Sequence, residues 1–217
     1  MCGGYELDAD PEALISAFRV DVSMPELGET LAGLAREHFP RMQGPIVLTR
    51  KPSSERAQAE RWLGLSRWGL VPHWATSLAE GDKMFNARAE TLEQKPAFRE
   101  AFRSRRCVVP VSAFYEWHKE GKRSQRFVFR LVGSELPFLP LAGLWASWRA
   151  PSGERVGTYA VITVPPNERV APIHGRMPAV LGSVDAVERW LALDGSPEEL
   201  TALLVPAPAD LLVEAPG

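Results

Sequence analysis

The chain opens MCGGY, with a cysteine directly behind the initiator methionine. Removal of Met1, which methionine aminopeptidases favour before small residues, would leave Cys2 with a free α-amine and a thiol. An α-amine has an ordinary pKa of about 7.7–8.0, so a useful share of it is neutral near physiological pH. Such an aminothiol has two chemistries open to it. It can attack an acyl carbon as an N-terminal nucleophile. It can also condense with an aldehyde: the amine forms an imine, the thiol adds to it, and a five-membered thiazolidine closes. An incidental cysteine at a frayed terminus is the other reading, and Cys2 alone favours it.

Three further stretches carry polar groups in settings suited to chemistry. In MFNARAETL, Asn86, Arg88 and Glu90 alternate with the small residues Ala87 and Ala89, which let a ligand or backbone come close. Asn86 both donates and accepts hydrogen bonds, and Arg88 offers a planar fork for phosphate or carboxylate. A polar strand edge would look the same. In VVPVSAFYEWHKEG, strand alternation puts Phe114 and Glu116 on one face and Tyr115 and Trp117 on the other. A glutamate aimed at an apolar face has its pKa raised by desolvation, which suits a general acid/base. Periodicity does not say which face is inward. In APIHGRMPAVL, His174 and Arg176 sit among Pro172, Gly175 and Pro178, which mark a fixed loop. A loop histidine can move protons, or can simply be hydrogen-bonded. His38, His73 and His118 have no comparable setting and read as structural or surface residues. In RWGLVPHW, Trp68 and Trp74 flank a Gly and a Pro that read as a strand exit; aromatics beside basic residues stack bases in single-strand binders, and core tryptophan is the plain alternative.

The elements that must position these groups follow a simple order. DADPEALISAF reads as a helix with Asp10 as N-cap and Pro11 at its first position. PELGETLAGLAREHF has helical spacing and reads as a second helix. PIVLT and WLGLSRWGLVP read as strands separated by the polar SSERAQAE, a loop tip or short helix. KPAFREAF is a helix. RRCVVPV, AFYEW and RFVFRLV are strands, the last two joined through HKEGKRSQ. FLPLAGLWASW and RVGTYAVITV extend the β-rich middle, and SVDAVERWLAL and SPEELTALL are helices with Ser183 and Ser196 as N-caps. Helices, then closely spaced strands, then helices indicate an α+β fold. It is a single domain over residues 1–217, with a central antiparallel, barrel-like sheet flanked by helices.

Composition bounds the rest. The chain has 217 residues with ordinary apolar and charged content, enough to bury a core without staples. The two cysteines form no Cys-x-x-Cys pair and the four histidines are scattered, so a metal site is not expected and no cofactor is. No signal-peptide or spanning pattern occurs, so the chain reads as cytoplasmic, monomeric and without a membrane partner. A net charge of -2 does not suggest a dedicated nucleic-acid binder. It conceals a basic run, however: residues 86–130 hold eleven basic residues against five glutamates. A solvated face and a binding patch explain such a run equally well.

Taken in order, Cys2, RWGLVPHW, NARAET, VVPVSAFYEW, AGLW, HGRMP and PAPADLL form a series that resembles the SOS response-associated peptidase family of abasic-site processing proteins. The resemblance spans nearly the whole chain. It implies that Met1 is lost and that Cys2 forms a thiazolidine with the ring-opened aldehyde of an abasic site in single-stranded DNA. It further implies Asn86 as a hydrogen-bonding group at the reacting sugar, Glu116 as proton shuttle, and His174 as an aid to sugar opening or reversal. Arg88 and Arg176 would be DNA-binding residues, with Arg88 on a phosphate, and Trp68 and Trp74 would line the DNA path. The protein would be nucleoid-associated when bound. The peptidase activity in the family name would be autocleavage of Met1 by the same residues, alongside abasic-site lyase chemistry. The family usually begins Met-Cys-Gly-Arg, whereas Gly4 stands here, and the family's Asn-x-Ala-Pro motif is absent from HFPRMQGPIVLT. Loss of one phosphate contact weakens DNA binding and flattens its salt dependence by roughly one unit of slope. Two rivals remain: an N-terminal-cysteine amidohydrolase with Asn86 in an oxyanion hole, and a non-catalytic DNA-binding module in which Cys2 is incidental.

Overall fold

The apolar runs PIVLT, CVVPV, LAGLWA and YAVITV are too continuous for strands with one wet face, and both of their faces are covered in the fold. The computed structural model describes residues 2–8, 10–132 and 136–216. In chain order the first half comprises β1 (Gly4–Glu6), α1 (Pro11–Ala17), β2 (Val22–Ser23), α2 (Leu27–Ala32), β3 (Glu37–His38), β4 (Gln43–Arg50), β5 (Glu60–Trp68) and β6 (Asn86–Arg88). Then follow α3 (Pro96–Ser104), β7 (Arg106–Val111), β8 (Ala113–Glu120), β9 (Arg123–Leu131), β10 (Leu139–Arg149) and β11 (Arg155–Val164). The chain finishes with β12 (Met177–Pro178), α4 (Val184–Leu191), α5 (Pro197–Ala202) and β13 (Leu212–Pro216).

Five strands close into a barrel. β4 pairs with β5 and β7, β7 with β10, and β10 with β11, all antiparallel. The seam is parallel: Thr158 and Tyr159 of β11 lie opposite Arg67 and Trp68 of β5. The expectation of an antiparallel barrel therefore holds for four of the five barrel pairings, and the short β2 and β6 also add in parallel, to β5 and β11. Closing the ring removes the exposed edges that an open sheet would have to protect. Pro110 and Pro140 sit directly opposite each other in the β7–β10 ladder, where neither could donate to the other. A second sheet, in the order β13-β9-β8-β1-β3, lies beside the barrel and carries the N-terminal strand.

Helices cover the barrel's outer surface, α3 against β7 and β10, and α4 against β7. The caps follow the sequence signals. Asp10 accepts from the Glu12 N–H, Ser183 from Ala186, and Ser196 from Glu199, the last within a full capping box. Each such cap contributes about 1 kcal/mol. Arg106 is 6% exposed, and its guanidinium donates to the carbonyls of Phe102, Arg103, Trp190 and Ala192. A single cation thus satisfies the C-terminal ends of both α3 and α4, where the helix dipoles favour positive charge.

One expected helix is much shorter than its pattern. PELGETLAGLAREHF is helical only over Leu27–Ala32, and Gly33 ends it. Glycine is a poor helix former, and Glu37 and His38 find backbone partners in β1 instead. The polar SSERAQAE stretch is a loop containing one isolated bridge between Ser53 and Arg56. Among the described residues, no helix is long and apolar enough to cross a membrane.

Candidate active site at the N-terminal cysteine

Three pieces of chain converge on Cys2. β1 lies antiparallel to β8 with Gly4 opposite Tyr115, so the residues just before Gly4 run beside Glu116 and Trp117. β6 adds in parallel to β11, with Asn86 opposite Val161 and Arg88 opposite Thr163. The third piece is the loop 171–176. It is pinned because the segment after it inserts between the diverging ends of β10 and β11. Ala142 N–H donates to the Ala179 carbonyl, Ala179 N–H to Ile162, and Leu181 N–H to Pro140.

The convergence brings together the four residues expected to be catalytic. The Asn86 side-chain amide donates to the Cys2 carbonyl at 2.7 Å. Among the described residues, the buried Oδ1 of the same Asn86 has no hydrogen-bond partner. His174 Nδ1 lies 3.7 Å from Glu116 Oε2 and 3.1 Å from both the backbone N and O of Arg176. Glu116 and His174 line a cavity of about 640 Å³ together with Trp117, Lys119 and Ser124.

Burial sets the protonation states. Phe114 and Glu116 face inward together, and Glu116 is 1% exposed. Desolvation raises its pKa to about 7. A carboxyl poised there can both donate and accept a proton at neutral pH. The Cys2 thiol is fully buried, and its Sγ donates to the Gly4 carbonyl at 3.7 Å. Burial, then the nearby Glu116 charge, pushes the thiol pKa far up, so it is held as the neutral thiol. His174 is lowered by burial, against a raising contribution from its bond to Arg176. Its imidazole is therefore neutral at pH 7.

The residues expected to grip DNA separate into three groups. Arg88 is exposed at the end of β6, and Trp74 is half-exposed with its ring edge-on to His73. Arg176 is already committed. Its fork donates to both carboxylate oxygens of Glu90, at 2.6 and 3.0 Å, and to the Thr163 carbonyl. That clamp ties the His174 loop to the chain after β6, making Arg176 a positioning residue. Trp68 corrects the expectation outright. It is fully buried, stacked on Tyr159 and tilted against Tyr5, with its indole N–H donating to the Phe85 carbonyl. No base can stack on it in this structure. Gly69, at φ +133, turns the chain out of β5 immediately after it, so the two tryptophans of RWGLVPHW part company.

The basic run of residues 86–130 is not one patch. Arg106 is buried, Arg103 pairs with Glu93, Arg105 with Glu100, Arg126 with Glu37, and Arg130 with Glu6. Two features near the site were invisible in the sequence. Tyr5 and Tyr159 share a hydroxyl–hydroxyl contact of 2.8 Å across 154 positions, and His38 stacks on Tyr5 at 4.8 Å. Trp117, Lys119 and Ser124 line the cavity, and their closeness to Glu116 on one hairpin was the available signal.

Comparison with known proteins gives the chain's family and fold relatives. The family model described as SOS response associated peptidase (SRAP) matches residues 1–216. Abasic site processing protein YoqW of Bacillus subtilis (strain 168) is 36% identical over 211 residues, covering 97% of this chain and 89% of that protein. Abasic site processing protein HMCES of Gallus gallus is 34% identical over 191 residues, covering 77% of this chain and 57% of that protein. Among solved structures, a Bacteroides thetaiotaomicron protein superposes with TM-score 0.81 at 27% identity, covering 99% of this chain and 91% of that one. A Bordetella bronchiseptica protein superposes with TM-score 0.80 at 27% identity, covering 100% and 99%. This chain belongs to the SOS response associated peptidase family.

Proposed function

We propose that this protein processes abasic sites in single-stranded DNA and links to them covalently through Cys2. The observation that carries the reading is the meeting of four chain segments: Asn86 bonds the Cys2 carbonyl, His174 lies 3.7 Å from Glu116, and the Glu116 charge acts on the Cys2 thiol. The names of its relatives, abasic site processing proteins, support the abasic-site part of this reading.

Met1 must first leave, by hydrolysis of the Met1–Cys2 bond, to free the α-amine. The neutral amine attacks the aldehyde carbon of a ring-opened abasic sugar, and water departs to leave an imine. Glu116, half-protonated near neutral pH, protonates the departing hydroxyl. It then takes the proton of the Cys2 thiol as the sulfur adds to the carbon of the protonated imine, and the nitrogen keeps its one proton as the thiazolidine closes. Burial of the thiol beside Glu116 suppresses stray oxidation and supplies the base where it is needed. Asn86 orients Cys2 through its carbonyl, and its Oδ1, which has no partner among the described residues, accepts from a sugar hydroxyl in this reading. His174, neutral and 3.7 Å from Glu116, assists opening of the sugar and reversal of the link. Arg88 and Trp74, both solvent-facing, contact the strand.

The test is a denaturing gel. The Met1-processed protein is mixed with single-stranded DNA carrying one abasic site, beside Cys2→Ala and a form retaining Met1. The expected result is a heat-stable, slow-migrating band with the processed wild type alone. Its absence, with Met1 shown to be removed, overturns the reading. Turnover of a small amide under the same conditions would identify an amidohydrolase instead.

A further inference from the structure

A second groove shares no lining residue with the cavity at Glu116 and His174. It occupies about 530 Å³ between the end of β4, the loop that follows, the end of α3 and Trp145 of β10. Four cations line it, Arg50, Lys51, Arg56 and Arg105, and no acidic side chain does. Two of these cations have carboxylate partners: Glu60 is 3.6 Å from Arg56, and Glu100 is 2.7 Å from Arg105. Among the described residues, Arg50 and Lys51 have no carboxylate partner.

The arrangement is built rather than incidental. The Arg50 guanidinium sits 4.3 Å from the centre of the Trp62 ring, which fixes it in place without neutralising it. Arg56 is tied by two bonds to the Lys51 carbonyl, which sets the turn of the loop. Arg106 already satisfies the carbonyls of Phe102 and Arg103, so the end of α3 presents less negative charge to the groove. Two buried polar atoms of lining residues, Thr49 Oγ1 and Arg105 Nε, have no partner among the described residues. Burial, then the neighbouring Arg56 charge, lowers the pKa of Arg50, against a raising contribution from Glu60.

We propose that this groove is a second nucleic-acid contact, binding backbone phosphates of a single strand through Arg50 and Lys51 beside the aromatic wall of Trp145. The pairing of cations with an aromatic surface is the chemistry that tracks a single strand without reading its sequence. The assignment rests on nucleic acid being the substrate, but not on the covalent step at Cys2.

The test uses the full chain and a fluorescent single-stranded oligonucleotide without any lesion. Binding is followed by anisotropy across a salt series for wild type, Lys51→Glu and the double variant Arg50→Gln, Lys51→Gln. Lys51 is exposed, so its variant keeps the fold. The expected result is a roughly fivefold or greater loss of affinity, with the salt slope reduced by about 1.4 in the double variant. That is the loss of two single-strand phosphate contacts. Affinity within twofold of wild type at an unchanged slope overturns the proposal. So does a mononucleotide that binds the groove as tightly as the oligonucleotide, since the site would then serve free nucleotides. Failure of the abasic-site cross-link with weakened lesion-free binding would sink the covalent reading and leave the groove standing.

Discussion

Asn86 donates a 2.7 Å hydrogen bond to the carbonyl of Cys2 from 84 positions away. The bond joins the barrel, through β6 and β11, to the first residues of the second sheet. It thereby fixes the backbone of the residue that carries the amine and the thiol. Asn86→Ala is expected to lower the cross-linking rate by about tenfold or more, consistent with about 1–2 kcal/mol for a lost buried hydrogen bond. Single-turnover gel kinetics measure it, with circular dichroism confirming an intact fold. A rate within twofold of wild type would remove Asn86 from the site.

Glu116 makes stability depend on pH in a stated direction. Its folded pKa is raised by burial to about 7 from an ordinary 4.5. The folded state therefore holds the proton more tightly than the unfolded chain. Its contribution is complete below about pH 4.5, is lost as pH rises through about 7, and is constant above. Glu116→Gln should remove that slope and be more stable than wild type by about 1–3 kcal/mol at alkaline pH, while cross-linking slowly. Urea unfolding at several pH values reads this. An identical pH slope in both proteins would show that Glu116 is not its source.

The Arg176–Glu90 clamp holds the His174 loop, so its loss should act through position. Glu90→Gln and Arg176→Lys are each expected to slow cross-linking by about threefold to tenfold. Lysine cannot reproduce the two-pronged contact. The effect should fall on the rate at saturating DNA, and the affinity for lesion-free DNA should barely move. A change in affinity alone would mean that Arg176 touches DNA directly.

The two tryptophans of RWGLVPHW should behave oppositely. Trp68 is wholly buried among Tyr5, Tyr159 and Phe85, so Trp68→Ala should destabilise the fold by about 3–5 kcal/mol. Trp74 is 50% exposed, and Trp74→Ala should leave stability within about 0.5 kcal/mol. It should weaken single-strand binding by about 1–3 kcal/mol if a base stacks there. Thermal melts and anisotropy separate the two effects.

Gly4 occupies a crowded spot. A Cβ there would lie 2.9 Å from Phe39 Cε1 and 3.0 Å from Tyr115 Cδ2. Gly4→Arg should therefore destabilise by about 1–3 kcal/mol, as overpacking does. Combining it with Phe39→Ala, which opens the space, should recover much of the loss. A melting temperature unchanged by Gly4→Arg alone would show that the Phe39 ring moves aside freely.

Much of this protein could be read from local signals. Asp10, Ser183 and Ser196 cap the helices they announced, because a cap needs only the few residues that follow it. The apolar strands lie where β-branched and aromatic runs predict, and a period of two puts Phe114 and Glu116 on one face, though only the fold turns that face inward. Helix α2 stops short because pairing with β1, a non-local contact, competes for the residues after Gly33. Trp68 and Trp74 look alike in sequence and are divided only by the barrel wall, since burial belongs to the fold and not to the residue. The same holds for the basic run: each arginine's fate depends on a carboxylate or carbonyl supplied from elsewhere in the chain. By itself, then, the sequence determined the elements, the family and the residue types able to do chemistry. Only the tertiary structure decided that Cys2, Asn86, Glu116 and His174 share one buried site, because contacts across tens of residues are made by barrel closure and strand insertion, which no local pattern encodes.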